Sequence, residues 1–282
     1  MNASWVNFTN KGFLLPRLTT VQIEAIVNPA DGLQVYNTTV GKLYVFVAEA
    51  ALWKEISYGT STISPPFVCG TSLFIDPRDS KTYNSVQIGT QCWMKENIAW
   101  LPSVVGPATG STSISYYYVY GYNGTDVPTA KATSNFQTYG VLYNWPASLT
   151  ACPSGWHLPT DGEWCSLATY LDATVNCSAT GLTGTDAGGK MKETDFTHWT
   201  TPNTGATNTS GFTALPGGYK GANSFTDLGS FGTWWSSSQE NSDNSWFRYL
   251  IHTSSSISRI SSYKAGGFSV RCLKDNVRTE VD

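Results

Sequence analysis

Six cysteines constrain the fold of this chain more than any other feature of its sequence. They are Cys69, Cys92, Cys152, Cys165, Cys177 and Cys272. An even count is typical of disulfides, and the lack of any C-x-x-C pair argues against zinc ribbons and thioredoxin-like redox sites. Because six cysteines allow fifteen pairings, their spacing alone does not decide which are joined.

The polar surface must be built mostly from uncharged residues. Charged residues make up 13% of the chain, about half of the ~25% usual in globular proteins. With 13% aromatic residues, this composition favours a β-rich extracellular or virion protein.

The net charge of −3 comes without a basic cluster, so we expect no nucleic-acid partner. No apolar run approaches the ~20 residues of a membrane span, so we expect no membrane insertion. The start of the chain has no signal-peptide pattern.

Residues 1–60 are predicted to form a small module of one helix and several strands. The helix pattern covers 18–27, with Thr19 as N-cap and Gln22 in position for a capping box. Three strands of an antiparallel sheet are predicted from alternating polarity at 33–38, 42–47 and 52–57. The stretch 61–66, STISPP, is predicted to be a linker.

Beyond residue 67, many short strands accompany one well-marked helix. Strands are expected at 81–89, 211–219, 232–238, 245–252 and 267–273. The helix covers 160–173, with Thr160 as N-cap and Glu163 completing a capping box. Asp161 lies in the first turn, where a negative charge meets the positive end of the helix dipole. We therefore favour structural roles for both carboxylates over general acid–base catalysis.

Six motifs occur in a specific order in this part of the chain. They are VQIGTQCWMKENI (86–98), YGVLYNWPAS (139–148), CPSGWHLPTDGEW (152–164), SGFTALPGGY (210–219), WWSSS (234–238) and GFSVRCLKD (267–275). Together they resemble the Fibrobacter succinogenes major paralogous domain over residues 67–275, followed by a tail at 276–282. That family is similar to C-type lectins and to formylglycine-generating enzymes. The resemblance implies an α+β, C-type-lectin-like domain with a short antiparallel core sheet and one or two helices.

The same resemblance implies three disulfides, Cys69–Cys92, Cys152–Cys272 and Cys165–Cys177. Such bridges indicate an extracellular or cell-surface protein or, alternatively, a virion component. Residues 10–58 separately resemble a segment of Bacteroidetes surface proteins and phage tail-fibre-like proteins, which implies a fibre-proximal or oligomerising module. We therefore expect a homo-oligomer, which in the tail-fibre case is a trimer formed through residues 1–58.

Motifs of known enzymes are incomplete in this sequence. GTDAGGKM (184–191) resembles a P-loop, but Met191 stands where a Ser or Thr ligand of magnesium is needed. His157, His198 and His252 are far apart, and His157 is interpreted as a hydrogen-bonded, partly buried imidazole. No G-x-S-x-G elbow is present, and the cysteines fit disulfides better than a catalytic thiol. We therefore expect no enzyme activity and no cofactor, with a formylglycine-generating type of enzyme as the less favoured alternative.

Two polar loops, 217–230 and 239–246, are the predicted binding face. The expected ligand contacts are Tyr219, Phe225, Asp227, Trp246 and Arg248. The weak calcium candidates are Glu240, Asn241, Asp243 and Asn244. A solvated loop is favoured there, because calcium needs six to eight converging oxygens. The expected partner is a glycan or a cell-surface protein, which suggests adhesion or surface assembly. The alternative is a phage tail-fibre or receptor-binding structural protein.

The capping box predicts unequal effects of two substitutions in the 160–173 helix. Thr160→Ala removes the N-cap oxygen and should lower the free energy of unfolding by about 1 kcal/mol. Glu163→Gln keeps an acceptor for the reciprocal hydrogen bond and should have little effect. Chemical denaturation of both variants measures this difference. If Glu163→Gln abolished an activity without lowering stability, the structural role would be contradicted.

Overall fold

The computed structural model describes residues 14–56 and 67–275. The chain divides into two units, residues 1–66 and 67–282. The predicted linker at 61–66 and the tail at 276–282 lie outside the described residues. None of the helices in the described ranges is long and apolar enough to cross a bilayer.

In the first unit, a four-stranded sheet accompanies one short, capped helix. The elements are β1 (Arg17–Leu18), α1 (Thr20–Glu24), β2 (Gln34–Asn37), β3 (Lys42–Val47), a 3₁₀ turn (Ala48–Ala50) and β4 (Leu52–Glu55). The sheet order is β1-β2-β3-β4, with only the first pair parallel. The predicted capping box between Thr19 and Gln22 is confirmed. The helix is shorter than the predicted 18–27, because Leu18 belongs to β1, Thr19 is the N-cap and the helix ends before its C-cap at Ala25.

The second unit contains two four-stranded sheets, three two-stranded ribbons and five short helices in its described residues. In chain order the elements are β5 (Phe74–Ile75), β6 (Thr82–Tyr83), β7 (Ser85–Ile88), β8 (Gln91–Met94), β9 (Tyr117–Tyr118), α2 (Val127–Lys131), α3 (Ser134–Tyr139), β10 (Leu142–Tyr143), α4 (Trp145–Ser148), β11 (Trp156–His157), α5 (Asp161–Leu171), β12 (Gly181–Thr183), α6 (Ala187–Met191), β13 (Tyr219–Lys220), β14 (Phe225–Thr226), β15 (Phe231–Gln239), β16 (Asn244–Ile251), β17 (Ile257–Tyr263) and β18 (Leu273–Lys274). The main sheet has the order β12-β17-β16-β15, and the second sheet has the order β11-β18-β8-β7. Both are antiparallel, so the unit is of the predicted α+β class.

The number of helices exceeds the one or two that were predicted for this unit. α5 agrees with its prediction, including the capping box of Thr160 and Glu163. α2, α3 and α4 have only four to six residues and begin at the capping side chains of Asp126, Thr133 and Asn144. Helices this short show no 3.6-residue apolar pattern, which is why the sequence did not reveal them.

Two predicted strands are wrong over most of their length. The stretch 211–219 is irregular up to β13, because Gly211, Thr213 and Gly218 take positive φ values of 69, 52 and 63°. These values interrupt an extended chain. In 267–273 only the last residue belongs to a strand, residues 267–269 make isolated bridges, and 270–272 are irregular.

Helix α5 packs on the main sheet through aromatic side chains. Trp164 is fully buried, and its ring centroid lies 4.8 Å from that of Trp93, 6.0 Å from that of Phe212 and 6.3 Å from that of Trp234. Leu167, on the predicted apolar stripe, is also fully buried. The helix and the two sheets therefore share one aromatic cluster, in which tilted ring pairs add to the energy of burial.

Asn97 connects segments that carry the family motifs. Its Oδ1 accepts hydrogen bonds from the Trp234 indole at 2.9 Å and from Nε and Nη2 of Arg271 at 3.1 and 2.9 Å. Its Nδ2 donates to the Tyr139 carbonyl oxygen at 3.1 Å and to Ser269 Oγ at 3.3 Å. Arg271 is 1% exposed. Since buried polar groups without partners are costly, these contacts favour a single arrangement of the segments.

Three disulfides hold the second unit together. They join Cys69 to Cys92, Cys152 to Cys272 and Cys165 to Cys177, the pairs that the family resemblance implies. The second bridge spans a sequence separation of 120 residues, whereas the third spans 12 and closes the loop after α5.

Loop length predicts the order in which these bridges contribute to stability. The double variant Cys152→Ala/Cys272→Ala should lose about 2 kcal/mol more than Cys165→Ala/Cys177→Ala, because the longer loop restricts the unfolded chain more. Denaturant titration of both variants measures the difference. Mass mapping without reductant should find the three pairs, and six alkylatable thiols in the native protein would contradict the arrangement.

Candidate binding surface

The two faces of the main sheet have different surroundings. Along β16, Arg248 and Leu250 point toward α5, where Arg248 Nη1 donates to Asp161 at 2.7 Å and Leu250 joins the Trp164 cluster. The alternating side chains of Phe247 and Tyr249 therefore lie on the opposite face. Part of this second face is covered by α4 and the buried core around Trp235, and the partly exposed region around Phe247 and Tyr249 is the candidate binding surface.

An aromatic groove of about 280 Å³ runs along this second face. Its lining residues are Tyr219, Phe231, Thr233, Phe247, Tyr249, Ile260, Ser261, Ser262 and Phe268. Ring centroids are 5.4 Å apart for Phe231 and Tyr249, and 6.2 Å apart for Phe247 and Tyr249. These three rings are partly exposed, as is that of Tyr219, and Ile260 is 37% exposed. The groove therefore offers a nearly continuous apolar surface edged by hydroxyl groups.

The floor of the groove is closely packed. Phe268 is buried and stacks on Phe247 with centroids 4.4 Å apart. Trp235 is also 4.4 Å from Phe268, and its indole donates to the Tyr143 carbonyl oxygen at 2.7 Å. Burial raises the pKa of the Tyr219 hydroxyl, with a smaller contribution from Asp227. Tyr219 is therefore neutral at physiological pH and can act as a hydrogen-bond donor.

The structure does not bring the two predicted binding loops together. The loop 217–230 leads into β15, and the loop 239–246 begins where β15 ends. β15 has nine residues, so its ends are about 30 Å apart at the usual rise per residue. Among the predicted contacts, Tyr219 lies in the groove. Phe225 lies outside the groove lining and packs on Tyr120 at 5.2 Å.

Asp227 and Trp246 do not line the groove, although Asp227 is close enough to the groove residue Tyr219 to raise the pKa of its hydroxyl. Asp227 occupies the turn after β14 with a φ of 61°. Trp246 lies on the α5 side of the sheet, where the guanidinium carbon of Arg259 is 3.5 Å from its ring centroid. This geometry is a cation–π contact within the domain.

Arg248 has a structural partner instead of the predicted ligand. It is 3% exposed and pairs with Asp161, which also binds Arg259 at 2.9 Å. Burial alone would raise the pKa of Asp161, but Arg259 and Arg248 lower it below its usual value. Asp161 therefore does more than face the helix dipole, because it anchors α5 to two strands of the main sheet.

The loop considered for calcium already holds a cation. Lys264 Nζ donates to Gln239 Oε1 at 2.9 Å and to the carbonyl oxygens of Asn241 and Ser242 at 3.0 and 2.8 Å. A divalent ion at the same oxygens would be repelled by this ammonium. In the part of the chain that the structure describes, no three His, Cys, Asp or Glu residues are grouped to hold a metal.

His157 bridges two carboxylates at the start of α5. Its Nδ1 lies 2.6 Å from Asp275 Oδ1, and its Nε2 lies 3.0 Å from Glu163 Oε1. Burial alone would raise the pKa of Glu163, but hydrogen bonds with Thr160 and His157 lower it. The imidazole is hydrogen-bonded and partly buried, as predicted. The effect of Glu163→Gln therefore includes the His157 contact, which the sequence did not reveal.

Several groove residues were missed by sequence reasoning. Phe231, Phe247 and Ile260 belong to strands whose alternation is visible in the sequence. Alternation shows that a strand has two faces but does not show which face is covered. Which face is covered depends on where α5 packs, and the packing of α5 is set by residues far away in the sequence.

Two family models match the chain. Residues 86–274 match the Fibrobacter succinogenes major domain, and residues 3–66 match a phage tail like trimerisation region. Together they indicate a surface or structural protein that forms oligomers, and the three disulfides are consistent with an exterior location. The chain belongs to the Fibrobacter succinogenes major domain family, and both predicted resemblances are confirmed. No match to a curated protein or to a solved structure was found.

Asp161→Asn should destabilise the domain. Removing the carboxylate leaves the buried Arg248 without its counter-ion, which should lower the free energy of unfolding by about 3 kcal/mol. The folded-state pKa of Asp161 is lowered, so its contribution is present above the unfolded-state pKa. It is lost as the pH falls through the folded-state pKa.

The difference in the free energy of unfolding between wild type and Asp161→Asn should therefore become smaller at acidic pH. Urea titrations from neutral to acidic pH measure it. Asp195→Asn, at an exposed position, is the control. A stability difference that stays constant as the wild-type carboxylate becomes protonated would contradict the ion-pair role.

Proposed function

We propose that this chain is a non-enzymatic binding protein of a cell surface or a virion. In this proposal the N-terminal region holds copies of the chain together, and the C-terminal unit is a C-type-lectin-like domain that binds a glycan. The aromatic groove carries the proposal, because it combines four partly exposed rings with hydroxyl groups on one face of the main sheet.

The groove suits a sugar ring in chemistry and size. A pyranose has an apolar C–H face that can stack on an aromatic ring, and its edge is lined with hydroxyl groups. Tyr219 and Tyr249 each combine an aromatic face with a hydroxyl, and Ser262 adds a further polar group. A few polar groups beside a mainly apolar surface are typical of small-ligand sites.

The cysteines support binding over catalysis. All six form disulfides. A formylglycine-generating type of reaction needs an active-site thiol, and the disulfides leave no cysteine for that role. Similarity to that fold does not carry its activity.

A phage tail-fibre or receptor-binding component is the second candidate. The match of residues 3–66 to a phage tail like trimerisation region favours it. A trimer would carry three copies of the groove for contact with a target that repeats its glycan. Simultaneous contacts of this kind raise the overall affinity far above that of one site.

Substitutions on the two faces of β16 test the groove. Tyr249→Ala should weaken glycan binding about thirtyfold, because an aromatic anchor at a contact centre carries about 2 kcal/mol. Trp246→Ala, on the opposite face, should have a much smaller effect. A glycan array followed by calorimetry on soluble hits measures both affinities, after thermal melting has shown that the variants are folded.

Tyr170→Ala is the matched control, because Tyr170 is 66% exposed on α5 and lies outside the groove lining. Equal binding by Tyr249→Ala and wild type would contradict the groove. A sensitivity confined to Trp246→Ala would favour the loop 239–246 instead. Failure of the wild-type oligomer to bind any glycan would contradict the ligand class.

A further inference from the structure

Lys220 is a buried cation with few partners. It is 2% exposed, and its Nζ donates to the Ala265 carbonyl oxygen at 3.0 Å. The Tyr118 ring centroid lies 5.2 Å from the same atom. None of the ion pairs between described residues includes Lys220. Since an ammonium has three N–H donors, two have no oxygen acceptor among the described residues.

Two other buried lysines show how this domain satisfies an ammonium. Lys192 Nζ donates to three carbonyl oxygens at 2.8, 2.9 and 3.2 Å. Lys264 Nζ donates to three oxygens between 2.8 and 3.0 Å. Burial lowers the pKa of Lys220, because desolvation opposes its charged form. An acceptor supplied by a ligand would offset this desolvation.

Lys220 lines an open cavity of about 400 Å³ beside the aromatic groove. The cavity shares Tyr219, Ser262 and Phe268 with the groove, so one ligand can contact both. Its other lining residues are mostly small, and none of them carries a carboxylate. The Lys220 cavity is therefore a positively charged extension of an apolar and hydroxyl-lined surface.

We propose that the aromatic groove and the Lys220 cavity together bind an acidic saccharide, whose carboxylate accepts hydrogen bonds from Lys220 Nζ. This inference rests on the proposed glycan binding by the groove. A sugar ring stacked at Tyr219 places its substituents next to the cavity. A singly charged carboxylate matches one lysine, whereas a phosphate group carries up to two charges.

Acidic sugars and their own methyl esters test the inference. The probes are uronic-acid and sialic-acid oligosaccharides and the same compounds with each carboxyl group esterified, titrated calorimetrically into the full-length oligomer. We expect the wild type to bind the acid at least about tenfold more tightly than the ester, since hydrogen bonds to charged groups contribute this much. Lys220→Met, which keeps the apolar stem, should reduce the ratio of affinities to about one.

A second variant displaces the ammonium without removing it. A Cβ at Gly110 would lie 2.9 Å from Lys220 Nζ, so Gly110→Ala should move the ammonium and lower the acid-to-ester ratio. Lys131→Met is the control, because it removes one positive charge from the same domain outside the cavity. The acid-to-ester affinity ratio of Lys131→Met should equal that of the wild type.

The outcomes separate this inference from the proposed function. Equal binding of acid and ester by the wild type would overturn the role of Lys220 and leave glycan binding standing. An acid-to-ester affinity ratio in folded Lys220→Met equal to that of the wild type would likewise overturn the role of Lys220 and leave glycan binding standing. Binding of neither probe by the wild type would overturn the acidic saccharide, and the neutral members of the array would then decide on the groove. A Lys220-dependent preference for sulfated over carboxylated sugars would overturn the carboxylate.

Discussion

The hydrogen bonds of Asn97 are the interaction on which the second unit most depends. One buried amide oxygen accepts from both Trp234 and Arg271. These residues come from three motifs that are far apart in the sequence, so the contact sets where the strands and irregular segments meet. A charged guanidinium held mainly by neutral oxygens is stable only when each donor is well placed. Arg271 also donates to the carbonyl oxygen of Phe212, which lies in the irregular segment at 211–219.

The position of the groove follows from this arrangement. Trp234 points toward α5 and Asn97, and the next residue, Trp235, therefore points to the other face of the sheet. There it contacts Phe268, which stacks on Phe247 and forms the groove floor. Because the floor is connected to the Asn97 contacts through adjacent residues, the candidate binding surface is supported by buried core residues. Rigid support of this kind limits the ordering that a ligand must impose on binding.

This chain has few charged residues, and several of them are buried. Lys192, Lys264 and Arg271 are buried and bind mainly carbonyl or amide oxygens. Internal ammonium groups can hold a loop as a bound metal ion would, and Lys264 does this in the loop 239–246. Lys220 differs from them, because its ammonium has one backbone acceptor among the described residues and the residue lines a cavity.

The sequence by itself determined the features that depend on neighbouring residues. The capping boxes at Thr19 and Thr160, the apolar stripe of α5 and the hairpin strands all arise from local contacts, and motif order revealed the family and the cysteine pairs. Tertiary structure decided which part of the main sheet stays exposed, and it placed the loops 217–230 and 239–246 at opposite ends of β15. It also decided that 211–219, which the sequence pattern predicts as a strand, is irregular. These outcomes depend on contacts between residues far apart in the chain, and a local polarity pattern contains no information about which distant surface will cover it.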